Sequence, residues 1–225
     1  MGKQCYLCGL DADTRDHIPP RGFFPKPWPE NLLSVPCCTK CNNSYSLLDE
    51  QMRVFLASYE HANQSAKNIA QQKIFTENSV KGRPFRTVAS SLKTFPIQIG
   101  NSFALGHTIS ATTTDLFSFV ERIIRGLVYE FYPELHNPKA FIRVDSISSK
   151  EFSDAKNATL VDQVMGKLSE FAPKMKHDCF GDGVLDFLHQ RANGGTGWIV
   201  SFYRGATFIA AHSLEPIPPD PNEHV

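Results

Sequence analysis

The longest regular pattern in the chain runs from Thr114 to Tyr132. Leu116, Phe119, Val120, Ile123, Ile124, Leu127, Val128 and Phe131 return at three- and four-residue steps, which on a 3.6-residue helix makes one broad apolar face. Thr114 is suited to cap its start and Pro133 to stop it, while Gly126 in mid-helix predicts a close packing contact. Beyond this helix the period changes. "AFIRVDSI" reads as a strand, and "SSKE" as a capping box opening a helix toward Phe171. "VLDFLHQRA", "WIVSFY" and "TFIAAHS" then read as a β-meander, the last two joined across Arg204-Gly205. His189 and His212 fall inside these strands and are expected to be satisfied sheet residues. The tail "PIPPDPNEHV" reads as extended or disordered. Residues 61–225 are thus expected to form an α+β unit ending in an antiparallel meander.

The first sixty residues follow another logic. Their organising residues are cysteines: Cys5 and Cys8 in "CYLCG", Cys38 and Cys41 in "CCTKCNN". Two Cys-x-x-Cys knuckles can wrap four thiolates around one Zn²⁺, because each two-residue gap lets both sulfurs face one ion. A redox pair would open a helix after a strand, and no strand fits before Cys5. Unrelated buried thiols are the remaining alternative. Cys37 competes with Cys38, but only Cys38 reproduces the first pair's gap, so Cys37 and Cys179 read as small core hydrophobes. Gly9 suits the turn after the first knuckle.

Between the knuckles lies "TRDHIPPRGFFPKPWPENLLSVP", with Asp16 beside His17, Asn31 before an apolar run, and Asn42-Asn43 directly after the last cysteine. The order Cys-x-x-Cys, Asp-His-Ile-x-Pro, Asn-Leu, Cys-x-x-Cys-Asn resembles the HNH endonuclease family in its four-cysteine form. The resemblance covers roughly residues 1–55. It implies a zinc-stapled ββα-metal module over residues 1–60, acting on DNA and leaving a 5′-phosphate and a 3′-hydroxyl. His17 would be the general base, a role open to a near-neutral imidazole. Asp16 and Asn42 would ligate a catalytic Mg²⁺, with Mn²⁺ as an alternative ion and Asn43 as the rival ligand. Asn31 would brace the loop that orients the histidine. A short strand would end near Asp16–Ile18, a second would run over Leu32–Val35, and Asn42 would open a helix. Two departures stand out. Asn42 replaces the family's frequent histidine, and Tyr45 and Ser46 stand where many members carry lysine. A cation near the transition state would have to come from elsewhere, with Arg15, Arg21 and Lys26 nearest in sequence. Phe23, Phe24 and Trp28 read as loop packing rather than base-stacking surfaces.

Composition narrows the partners. Hydrophobic residues make up 41%, enough for a core, and basic and acidic side chains balance at 23 each. A nucleic-acid surface must therefore be a local patch. The one clearly basic stretch, Lys67 to Lys93, offers Lys81, Arg83 and Arg86 as phosphate contacts, beside the alternative of a solvated face. No apolar run would span a bilayer and the opening residues lack a secretion signal's build, so a cytoplasmic protein with no membrane partner is expected. Self-association is left open. The rival to a nuclease is a non-catalytic, zinc-stabilised module that binds nucleic acid or protein.

Overall fold

The computed structural model describes residues 3–59, 62–74, 90, 93–99, 102–108, 111–147 and 175–217. In chain order the first elements are β1 (Thr14–His17), β2 (Ser34–Cys37), α1 (Thr39–Ser44), α2 (Ser46–Ala57) and α3 (Gln64–Ile69), the last running into a π-helical turn over Ala70–Ile74. A hairpin of β3 (Lys93–Ile99) and β4 (Ser102–Thr108) precedes the long helix α4 (Thr113–Phe131). Then come β5 (Phe141–Ile147), β6 (Lys176–Phe180), β7 (Leu185–Ala192), β8 (Gly195–Phe202) and β9 (Ala206–Ser213). The class is mixed α/β, with a five-stranded antiparallel sheet in the order β5-β9-β8-β7-β6.

The expected meander is present as β7, β8 and β9, and "AFIRVDSI" supplies β5 at its edge. Alternation sorts one face of the sheet inward. Phe187, Val200 and Phe208 form one buried row across it, and His189, Trp198 and Ala210 the next. The strand β6 and the β3–β4 hairpin were not legible in the pattern: β6 is five residues of mixed polarity, and β3 carries an internal proline.

Helix α4 starts earlier than expected. Thr112, not Thr114, is the cap: its Oγ1 accepts from the Asp115 amide at 3.1 Å and donates to the Asp115 carboxylate at 2.7 Å. Three successive threonines are equivalent by type, and the acid three residues on selects the first. Gly126 is the close contact that its position suggested. A Cβ there would stand 2.5 Å from Ile18 Cγ1, so the residue after His17 packs directly on the helix.

One core serves both halves of the chain. Phe23 stacks on Phe119 of α4 at 5.2 Å and on Tyr203 at 6.3 Å, and Tyr203 donates its hydroxyl to the Phe23 carbonyl at 2.8 Å. Burying such a ring stabilises by about 1.5–3 kcal/mol, so the loop between the knuckles is held by the second segment as much as by the first. The "SSKE" helix, the residues Lys81, Arg83 and Arg86, and the end of the tail lie outside the described residues. Among those described, no helix is long and apolar enough to cross a membrane.

The two sheet histidines differ. His189 is satisfied, sharing a hydrogen bond with the Tyr132 hydroxyl at 2.9 Å and meeting Asp178 at 3.0 Å. His212 is buried with Nδ1 unpartnered. Burial, with Arg125 and His136 nearby, pushes its pKa from 6.5 down to about 4. The unfolded chain therefore binds the proton more readily, so stability should be complete above pH 6.5 and be lost as pH falls toward 4. Thermal unfolding of His212→Leu should show a shallower loss across that window than the parent. Equal slopes would mean that His212 is not held neutral by the fold.

Candidate functional site

The cysteine cluster is assembled by local backbone geometry. Gly9 adopts φ +75°, and its amide closes the first knuckle on the Cys5 carbonyl at 2.8 Å. Cys38 caps α1, its sulfur accepting from the Cys41 amide at 3.4 Å. Antiparallel pairing of β1 with β2 then brings the knuckles together. The sulfurs of Cys5, Cys8, Cys38 and Cys41 all lie within 4.8 Å of one another, and Cys8 and Cys38 are 3.8 Å apart. Tetrahedral Zn²⁺ with bonds of about 2.3 Å would space its sulfurs by about 3.8 Å. These four residues could hold a metal such as zinc. Cys37 is excluded from the set, buried in the core, where burial raises its thiol pKa strongly.

The protonation pattern suits a cation. Cys41 is raised well above its usual range by burial and its cysteine neighbours. Cys5 is brought down to about 7, because amides of Cys38, Leu7 and Cys8 outweigh its burial. Repulsion thus limits how many thiolates the bare cluster can carry, and a soft divalent ion removes that limit.

The hairpin separates the two residues that the sequence placed side by side. Successive side chains of a strand point to opposite faces. Asp16 turns inward at 4% exposure, while Arg15 is exposed and His17 half-buried. Buried in α4, Arg122 meets Asp16 with Nη2 at 3.0 and 2.8 Å and Nε at 3.1 Å, and Tyr6 donates its hydroxyl to the same carboxylate at 2.6 Å. The other Arg122 nitrogen, Nη1, pairs with Asp49 of α2, and Tyr45 lies under the guanidinium at 4.8 Å. Burial, against the pull of Arg122, raises the Asp49 carboxyl pKa.

This placement gives the expected Mg²⁺ site no support. Mg²⁺ keeps several waters and needs an open approach, whereas both oxygens of Asp16 are taken and the side chain is enclosed. Asn42 lies within α1 rather than at its start, and its amide nitrogen donates to the Arg15 carbonyl at 3.4 Å. As they stand, these residues do not present a Mg²⁺ site. Asn31 is exposed, bordering two surface cavities of about 550 and 480 Å³. Braces on the loop include Lys73, whose Nζ donates to the carbonyls of Gly22 and Phe24 at 3.1 and 2.8 Å, Gln72, which accepts from the Lys26 amide at 2.9 Å, and Tyr203.

His17 is shifted toward its neutral form. Burial first, then the positive charges of Arg21 and Arg15, lower its pKa against the opposing pull of Asp16. Arg15 is fixed beside it, Nε donating to Ser34 Oγ at 2.9 Å. The missed residues are Tyr6, Asp49 and above all Arg122; Lys73 lies in the basic stretch that the sequence singled out, but its bracing of the loop was not legible there. Arg122 had a signal: it sits between Phe119 and Ile123 on the apolar arc, where a charge must find a partner.

Freshly purified protein should contain one Zn²⁺ per chain by elemental analysis. Cys37→Ser should leave that content unchanged, whereas Cys38→Ser should lower it and loosen the N-terminal hairpin. Arg122→Met should destabilise by about 3–5 kcal/mol, because the buried Asp16 and the part-buried Asp49 lose their counter-ion. Urea unfolding reads this, and adding Asp16→Asn and Asp49→Asn should recover part of the loss.

No protein-family model matches this chain, and neither a curated protein nor a solved structure matches it.

Proposed function

We propose that the protein is an HNH-type endonuclease that hydrolyses DNA phosphodiester bonds, with His17 as general base. The observation that carries this reading is the setting of His17. The cysteine cluster joins the first knuckle to the start of α1, directly after β2, and the histidine at the end of β1 is half-buried, biased toward neutrality, and flanked by Arg15 and Arg21. A neutral imidazole can take the proton of an attacking water, and guanidinium groups suit the charge that grows on phosphate oxygens. The family that the sequence resembles uses Mg²⁺ for leaving-group stabilisation. The residues here do not fit that ion as they stand, and charge stabilisation falls to Arg15 and Arg21.

One observation favours a second reading. Asp16 is committed to Arg122, which is the arrangement of a structural ion pair and compatible with a zinc-stabilised module that binds DNA without cutting it.

Plasmid cleavage, run with added Mg²⁺, with Mn²⁺ and with neither, distinguishes them. The parent should cut, and His17→Ala should lower the rate by about 10²–10⁴-fold while retaining its fold and its zinc. Loss of zinc together with activity would make His17 a structural residue. A parent that never cuts leaves the binding module.

A further inference from the structure

The loop between the knuckles gathers positive charge from three separate elements. Arg21 and Lys26 lie exposed on the loop itself, Arg53 comes from α2, and Lys73 from the turn after α3. Lys73 reaches the Gly22 and Phe24 carbonyls, and a Cβ on Gly22 would stand 2.8 Å from Arg53 Nη1. Both cations are thus packed against one short piece of backbone. Arg53 Nε is buried and has no hydrogen-bond partner. Among the described residues, no carboxylate forms a salt bridge with any of the four, although the chain has as many acids as bases.

An aromatic ring orders the exposed pair. The Arg21 guanidinium lies 4.3 Å and the Lys26 ammonium 5.3 Å from the centre of the Trp28 ring, which is itself 41% exposed. Cation–π contact holds such long side chains in place without neutralising them. The field is positive throughout: burial first, then Arg53, Lys26 and Arg21, push the Lys73 pKa down to about 8. Arg21 also acts on His17, so the cluster adjoins the proposed base.

Unneutralised cations brought together at a surface raise the local concentration of anions. We propose that Arg21, Lys26, Arg53 and Lys73, ordered around Trp28, form a phosphate-binding surface that seats the backbone of duplex DNA beside His17. A polyanion fits better than a single small anion, because the charges spread along a loop and two neighbouring elements rather than closing around one point. This inference rests on the nuclease reading for its choice of DNA, but its test does not depend on cleavage.

Binding is measured by fluorescence anisotropy of a labelled duplex, in the His17→Ala background without added divalent ion, over a salt series. Arg21→Gln with Lys26→Gln should weaken binding and flatten the log–log salt dependence by about 1.8, two contacts at about 0.9 each. Lys176→Gln, an exposed lysine at the start of β6, should change neither. Trp28→Phe in the same background should retain the salt slope. DNA should also alter the tryptophan emission, which would report Trp28, since Trp198 is buried at 1% exposure. An unchanged affinity and slope in the double variant would overturn the surface, as would a background protein that does not bind the duplex. A parent that cuts while the double variant binds normally keeps the nuclease and removes the surface. A parent that does not cut, with a slope that falls in the variant, keeps the surface and removes the nuclease.

Discussion

Arg122 is the residue on which the rest of the arrangement depends. It projects from the buried face of α4 and is held by Asp16 from β1, Asp49 from α2 and Tyr6 from the first knuckle. Enclosing one cation with two carboxylates costs several kcal/mol of desolvation per ion, which only close, multiply bonded geometry offsets. Such a contact favours one placement of hairpin, helix and knuckle over any slipped alternative. Ile18 against Gly126 adds the matching steric condition one step further along the chain. Together they fix where β1 ends, and therefore where His17 emerges.

The inward ion pair and the outward charges are two consequences of one strand's pleat. Turning Asp16 into the core sends Arg15 and His17 to the other face. The cysteine cluster lies at the far end of the same hairpin, so β1 runs between that cluster at one end and Arg122 in the middle. The loop that follows is anchored by Phe23 in the aromatic core and by Lys73 from beneath, which leaves Arg21, Lys26 and Trp28 at the surface. A structurally fixed loop bearing free cations is a suitable base for phosphate contacts, because little ordering remains to be done on binding.

Two residues show how charge acquires a role through depth. Lys73 and Arg53 lie half-buried near other cations, with no carboxylate among the described residues paired to either, although Lys73 also braces the loop through the Gly22 and Phe24 carbonyls. Asp16 and Asp49 lie deeper and already have their cation. With equal numbers of acids and bases in the chain, the separation of sign is produced by placement and not by composition.

The sequence by itself determined the elements with strong periodicity and the cluster with strict spacing. The apolar face of α4, the meander of β7 to β9, the close contact at Gly126 and the choice of Cys38 over Cys37 follow from local patterns, because backbone geometry converts spacing directly into direction. Tertiary structure decided the rest. Asp16 and His17 are adjacent letters, yet only the hairpin's burial says which face is inside, and only α4 supplies the arginine that claims the carboxylate. The short strand β6 and the proline-bearing β3 pair with the strands that directly follow them, but mixed polarity in one and an internal proline in the other leave their own residues a weak signal. The cationic surface likewise joins residues 21, 26, 53 and 73, which no spacing rule connects, because three elements must pack before those charges can meet.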